Sequence, residues 1–237
     1  SHLFVQNKTS VELLQRVGIS SSRITVSGDT RFDRVAKIAS QTEKWQALDM
    51  FARDHFVIVA GSTWEKDEEL LQTVYRDLRG VCRWIIAPHE ISRRHLDQLL
   101  ARMGEEATML SSIMEGEPVK GDVVVVDTIG HLSALYRYGN VAYIGGGFGK
   151  GIHNTLEAAA FGLPLFFGPR YHKFLEAEEL VELGAASPVL KPREMLEKIR
   201  AFMDQEALYT RTAREAGDYV ARGAGATDRI LREVFGE

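Results

Sequence analysis

The chain has little of several things that would direct a reading at once. One cysteine, Cys82, stands among 237 residues, so an intramolecular disulfide is impossible and a thiolate zinc site is excluded. A cytosolic setting is then the default expectation. Long apolar runs are missing as well. The longest, from Ala158 to Phe167, is broken by Gly162 and Pro164 and falls far short of the roughly 18 residues of a membrane span. Basic charge is not in excess: 29 Lys and Arg against 33 Asp and Glu leave a net charge of −4, which argues against a nucleic-acid partner held by phosphate neutralisation. There is no initiator Met and no signal-peptide pattern. The chain opens abruptly on the strand-like run Leu3 to Val5, as a piece of something longer would.

What is present suffices for a sizeable core, since 45% of residues are hydrophobic. The length fits one large domain or two small ones. Between residues 56 and 190, short β-branched or aromatic runs alternate with amphipathic stretches. Strands are predicted at Phe56 to Ala60, Cys82 to Ala87, near Thr108, Val123 to Val126, Val141 to Ile144 and Pro164 to Phe167. Helices are predicted between them, with Leu70, Leu71, Val74 and Leu78 marking one apolar face and His153 to Phe161 forming another helix. Strands that are apolar throughout imply a sheet buried on both faces. The expected fold class is therefore α/β, a doubly wound parallel sheet flanked by helices. Residues 191 to 237 show no strand signal and read as two or three helices, with stripes Leu196, Ile199, Met203 and Ile230, Leu231, Val234. The first 50 residues hold an amphipathic helix (Val11, Leu13, Leu14, Val17), a strand at Ile24 to Val26, and then Gly28-Asp29-Thr30-Arg31-Phe32-Asp33.

Ligands of a doubly wound sheet bind at the carboxyl ends of its strands. Four loops in such positions are rich in polar or glycine residues: Gly61-Ser62-Thr63, Pro88-His89-Glu90, Asp127-Thr128-Ile129-Gly130, and Gly145 to Asn154. The last follows a strand and runs into a helix, a setting in which backbone amides and the helix dipole attract phosphate. It is not a Walker A loop, because Gly149-Lys150 precedes Gly151 rather than Ser or Thr, and no register gives G-x-G-x-x-G. An NTPase and a dinucleotide oxidoreductase both lose ground.

Purely structural accounts stand beside the functional ones. Asn154-x-x-Glu157 fits a capping box, in which Asn caps the helix and Glu reaches back to the Asn amide, and Ser62-x-x-Glu65 fits another. Asp127 can cap the turn after its strand. Lys150 reads as a solvated loop charge, and Cys82 as a small core residue. The histidines lack metal-ligand spacing, so neither a metal nor a cofactor is expected.

The series Gly28-Asp29-Thr30-Arg31-Phe32-Asp33, Ala60-Gly61-Ser62-Thr63-x-Glu65, Pro88-His89, Asp127-Thr128-Ile129-Gly130, Gly145-Gly146-Gly147 and Gly151-x-His153-Asn154-x-Leu156-Glu157 resembles, in order and spacing, the 3-deoxy-D-manno-octulosonic acid (Kdo) transferase family. The resemblance covers nearly the whole chain. It implies the sugar-nucleotide half of a two-domain GT-B glycosyltransferase, with residues 1–34 ending the preceding domain and 35–237 forming the C-terminal Rossmann-like domain. It further implies a CMP-Kdo donor, a lipid A precursor as acceptor bound through a preceding domain, and a full-length protein at the cytoplasmic face of the bacterial inner membrane. Carried over by motif, the donor-binding residues would be Gly61, Ser62, Thr63, Pro88, His89, Asp127, Ile129, Gly130, Gly145, Gly146, Gly147, Gly151, His153, Asn154 and Glu157. Asn154 would contact phosphate, Glu157 the ribose hydroxyls, and the Ile129-Gly130 backbone the cytosine edge. Amides of Gly146, Gly147 and the helix starting at Asn154 would stabilise departing CMP without a metal. The general base would lie in the other half, so this chain is expected to bind nucleotide without turnover.

The chain departs from the family pattern in places. The Arg commonly found between Pro and His is missing from Pro88-His89, with Arg93 or Arg94 as substitutes; Gly147 stands for a frequent Ser, His131 for a Glu, and Thr155 for a Pro. Two other readings stay open. One is a GT-B enzyme using a UDP-sugar, resembling lipid A disaccharide synthase or a UDP-sugar epimerase, which tighter binding of UDP than CMP would favour. The other is a non-catalytic binding module whose glycines only make turns, which a crevice filled by side chains would favour.

Overall fold

Apolar runs followed by amphipathic ones become, in the computed structural model, a parallel sheet between two layers of helices; residues 1–41, 44–104 and 107–236 are described. The chain opens with β1 (Leu3–Val5), α1 (Lys8–Arg16) and β2 (Ile24–Val26), whose strands pair in parallel as a small sheet of their own. Helices α2 (Thr30–Gln41) and α3 (Gln46–Ala52) lead into β3 (Phe56–Thr63), α4 (Glu65–Leu78), β4 (Cys82–Pro88), α5 (Arg93–Met103), β5 (Thr108–Met109) and α6 (Leu110–Met114). Then follow β6 (Val123–Val125), α7 (Leu132–Leu135), β7 (Val141–Ile144), α8 (Leu156–Ala159), β8 (Leu165–Phe167), α9 (Leu175–Glu182) and β9 (Ala186–Pro188). Helices α10 (Pro192–Asp204), α11 (Glu206–Gly223) and α12 (Ala226–Phe235) complete the order.

The large sheet has seven strands in the order β5-β6-β4-β3-β7-β8-β9, every pairing parallel. Its period-two alternation divides the core in two. Val57, Val59, Ile85, Val124, Ala142, Ile144, Leu165 and Phe167 point to one face, under α2, α7, α8 and α11. Ile58, Ala60, Trp84, Ile86, Val125, Tyr143 and Phe166 point to the other, under α4, α5 and α10. Because both faces are covered, the strands need no polar alternation, which is why their sequence is apolar throughout. Cys82 sits in this core, and burial pushes its thiol up to about 11.

Several expectations are corrected. The Gly61–Thr63 segment is not a loop but the end of β3, bent by a register shift between Gly61 and Thr63. The helix expected from His153 to Phe161 shrinks to α8, because His153 N–H donates to the Gly145 carbonyl and keeps residues before it tied to the strand end. Strand β9 was not foreseen: Ala186-Ser187-Pro188 has no β-branched residue, and it owes its conformation to pairing with β8 at the sheet edge, where Pro is tolerated. In α10 the buried stripe is Met195, Ile199 and Phe202: Ile199 of the expected stripe is buried, Leu196 only partly so, and Met203 is exposed. In α12, Leu231 and Val234 are exposed rather than packed.

The boundary expected after residue 34 falls inside α2, and Glu237 lies outside the described residues. Asp33 ties α2 to α12 by accepting from the Gly225 N–H at 2.5 Å and from the Thr227 N–H and hydroxyl at 2.9 and 3.0 Å. Burial opposes its charge, but these donors prevail and hold the carboxyl below its ordinary value.

Candidate functional site

Strand β3 lies between β4, which follows it, and β7, to which the chain returns from the far side of the sheet. The crevice above β3 and β7 is therefore the topological switch point, where ligands of such sheets bind. Glycines close it tightly. A methyl group on Gly145 would stand 2.1 Å from the Ser62 carbonyl oxygen, and one on Gly147 2.5 Å from the Gly168 amide nitrogen. Ser62, opposite Gly145, is held at φ +53°, a left-handed backbone that few side chains adopt. Gly61 makes room for Tyr136, whose hydroxyl would meet a methyl group there at 2.1 Å. Burial, then the nearby Glu157 charge, push the Tyr136 phenol far up, so it stays neutral.

Beside the glycine turn is a cleft of about 520 Å³, lined by Trp64, Lys66, Asp67, Phe148, Lys150 and His153 among others. Its size is that of a small-molecule site. Three rings stand together at the strand ends: the His89 centroid lies 4.4 Å from Trp64 and 4.5 Å from His153, and each pair is stacked. The Trp64 Nε1–H donates to His153 Nε2 at 3.0 Å, so a neutral His153 carries its proton on Nδ1. Burial first, and then the neighbouring His89, lower the His153 pKa, against an opposing pull from Asp67.

Beneath the turn, Asp67 is buried and accepts from the Gly146 N–H at 2.8 Å, the Trp64 N–H at 2.9 Å and the Tyr143 hydroxyl at 2.8 Å. This corrects the role expected for the Gly146 amide, which is already engaged inside the protein. The Gly145 amide is likewise engaged, donating to the Gly61 carbonyl at 2.9 Å. In the turn the Gly147 amide carries no hydrogen bond among the described residues.

The expected capping boxes are changed in register. At α4 the box is not Ser62–Glu65: Asp67, in the first turn, reaches back to the Trp64 amide. At α8, Asn154 Oδ1 accepts from the Leu156 N–H at 3.0 Å, while Glu157 accepts from the Asn154 side chain, not its backbone amide, at 3.0 Å. The other Glu157 oxygen accepts from the Ser133 hydroxyl at 2.5 Å, linking α8 to α7. The Thr155 and Glu157 amides have no protein acceptor among the described residues.

The remaining predicted residues divide clearly. Thr63 and Pro88 are buried, the Thr63 hydroxyl donating to Glu68 at 3.1 Å and the Thr63 carbonyl accepting from the His89 amide at 2.8 Å. Asp127 accepts from the Ser111 amide at 2.9 Å and from its hydroxyl, so it caps α6, not the turn after its own strand. Ile129, by contrast, is 83% exposed, and Gly130 beside it is open. Gly151 and His153 line the cleft, and Asn154 and Glu157 are joined at the start of α8. Arg93 pairs with Asp97 on the surface of α5. Among the described residues no group of three or more His, Cys, Asp or Glu could hold a metal ion.

Sequence reasoning did not single out Trp64, Asp67 or Ser133. The signal for Asp67 was present, as an acid three residues into a helix that begins at a strand end; those for Trp64 and Ser133 lay only in contacts across the fold.

No family model matches the chain. Among curated proteins it is 31% identical to a 3-deoxy-D-manno-octulosonic acid transferase of Chlamydophila psittaci, over 72% of this chain and 40% of that protein. The chain spans about half or less of the curated relatives it matches, from 40% to 51%. Among solved structures, the C-terminal CMP-Kdo binding domain of WaaA from Acinetobacter baumannii superposes with a TM-score of 0.62 at 19% identity, covering 79% of this chain and 98% of that one. S. aureus MnaA, solved with UDP, gives a TM-score of 0.62 at 16% identity over 98% of this chain and 58% of that one. By sequence the chain is thus a relative of the 3-deoxy-D-manno-octulosonic acid transferases, and by fold it matches a C-terminal CMP-Kdo binding domain along nearly all of that domain's length.

Proposed function

We propose that this chain is the donor-binding half of a glycosyltransferase that moves Kdo from CMP-Kdo to a lipid A precursor. The observation that carries the reading is the switch-point crevice, where a cleft lined by Gly146, Gly151 and His153 is followed along the chain by the first turn of α8, whose Thr155 and Glu157 amides have no protein acceptor among the described residues. The sequence relatives support Kdo transfer over a UDP-sugar reaction, and a cleft left open beside the glycines speaks against a module whose glycines serve turns alone.

Transfer breaks the bond between the anomeric carbon and a phosphate oxygen, and negative charge builds on the departing CMP. The amides of Thr155 and Glu157 meet that charge without having to reorganise. Asn154, already turned into the first turn of α8, contacts the phosphate. Glu157, oriented by Ser133 and Asn154, accepts from the two ribose hydroxyls, one per oxygen. The exposed Ile129-Gly130 segment takes the cytosine edge. Removal of the acceptor's proton falls to the part of the relatives that this chain does not span. The acceptor brings the whole protein to the cytoplasmic face of the inner membrane, although among the described residues no helix is long and apolar enough to cross a membrane.

Calorimetric titration of CMP and UDP into the chain, Glu157→Ala and Asn154→Ala tests this. CMP binds more tightly than UDP, and each substitution weakens CMP by about tenfold, the worth of one hydrogen bond to a charged group. Equal or tighter binding by the variants, or a preference for UDP, contradicts it. Kdo transfer by this chain alone contradicts the division of labour.

A further inference from the structure

Trp64 and His153 form a single flat surface in the cleft. Their ring centroids are 6.5 Å apart, their planes are only 14° off parallel, and the Trp64 Nε1–H reaches His153 Nε2 at 3.0 Å. An indole N–H points outward in the plane of its ring, so a hydrogen bond along it sets the two rings edge to edge rather than one above the other. His89 covers one face of this pair across the seam, 4.4 Å from Trp64 and 4.5 Å from His153. Trp64 and His153 line the cleft of about 520 Å³, and His89 does not. The face turned away from His89 is therefore the one the cleft offers, and among the described residues no other ring stacks on it.

Four charged side chains line the same cleft, and they are not equivalent. Asp67 accepts from three donors, and Glu65 is held by Arg102 at 2.9 Å. Lys66 and Lys150 make no hydrogen bond or ion pair among the described residues. Both acids are thus spent, and both ammonium groups are not. A flat aromatic wall beside two uncommitted cations suits a ligand with an apolar ring face and a carboxylate.

We propose that this cleft is a subsite for a carboxylated sugar ring, the Kdo end of the donor. The C–H face of the sugar lies on the Trp64–His153 surface, and Lys66 and Lys150 share its carboxylate. This subsite belongs to the donor-binding reading above, on which the identity of the sugar rests. Asn154 follows His153 in the chain and caps α8, so a sugar in the cleft stands beside the phosphate position.

The test is a titration of the 237-residue chain with free Kdo and with its neutral carboxamide, followed by the indole ¹⁵N–¹H resonances. The chain has three tryptophans, and the signal lost in Trp64→Phe is that of Trp64. Kdo shifts the Trp64 resonance, and the carboxamide binds about tenfold more weakly, the loss of charge-assisted hydrogen bonds. In the double variant Lys66→Gln, Lys150→Gln the two ligands bind alike, a result that a general loss of structure does not produce, because the carboxamide still binds as it does to wild type. Kdo and carboxamide binding equally to wild type overturns the proposal, as does a Trp64 resonance that Kdo leaves in place or a preference for Kdo that survives in the double variant. CMP titrated separately keeps the two readings apart. CMP bound without Kdo leaves the nucleotide reading standing and overturns the subsite; Kdo bound at Trp64 without CMP supports the subsite and overturns the nucleotide reading.

Discussion

On one side of the crevice, Gly145 and Gly147 lie against the backbones of Ser62 and Gly168 with no room for a methyl group, and Asp67 holds the turn from below. On the other side, the Thr128–His131 loop stands open: Ile129 is 83% exposed, and a methyl group on Gly130 would meet nothing within 4 Å. The first wall is set before any ligand arrives, which is what stabilising a phosphate demands, since dipoles that must turn during the reaction contribute less. The second has few contacts to lose and can adjust to a base or a partner surface. Ser133 and Glu157 join the two walls through a single hydrogen bond.

The sharpest way to break this contrast is a methyl group on each wall. Gly145→Ala drives Cβ into backbone that cannot swing aside, and is expected to cost about 3 kcal/mol in urea denaturation. Gly130→Ala, at φ +89° in open space, should cost only about 1 kcal/mol, the strain of a left-handed backbone. Equal losses would mean that the glycine wall is as yielding as the loop.

A smaller effect is expected from pH. Because His153 has its pKa lowered in the folded chain, by burial and then by His89, the unfolded chain binds the proton first. Its contribution is therefore neutral above the ordinary histidine value of about 6.5 and becomes destabilising as pH falls below it. His153→Gln should flatten the stability profile between pH 6.5 and 5, read from denaturation midpoints at each pH. An unchanged profile would show that the rigid wall does not hold this imidazole neutral.

The smallest effect belongs to the open wall. Ile129→Ala should change stability by less than about 0.5 kcal/mol, as exposed positions do, while weakening CMP by a few-fold. A larger stability loss by urea denaturation would mean that the loop is packed after all.

Much of the fold was legible because its signals are local. Val123, Val124 and Val125 can only be a strand buried on two sides, and Leu70, Leu71, Val74 and Leu78 only one face of a helix. The strands that escaped notice or ran longer than expected owe their form to neighbours: β9 to β8, and Gly61–Thr63 to β4. In the site, the four loops were visible from their glycine and polar residues, and their convergence followed from topology. Which amides are free was not visible. Gly146 and Gly147 are the same residue type in sequence, and the structure separates them: Gly146 gives its amide to Asp67, 79 positions away, and lines the cleft, while Gly147 packs against the Gly168 backbone. Asp127 looked like a site residue because it ends a strand, and only Ser111 reveals it as a helix cap.

The most direct test is a crystal structure of the chain with CMP. The account predicts the phosphate within hydrogen-bond reach of the α8 first-turn amides, about 3 Å, with the ribose against Glu157 and the Gly146 amide still on Asp67. A cytidylate bound elsewhere, or a crevice that CMP at saturating concentration leaves empty, would contradict it.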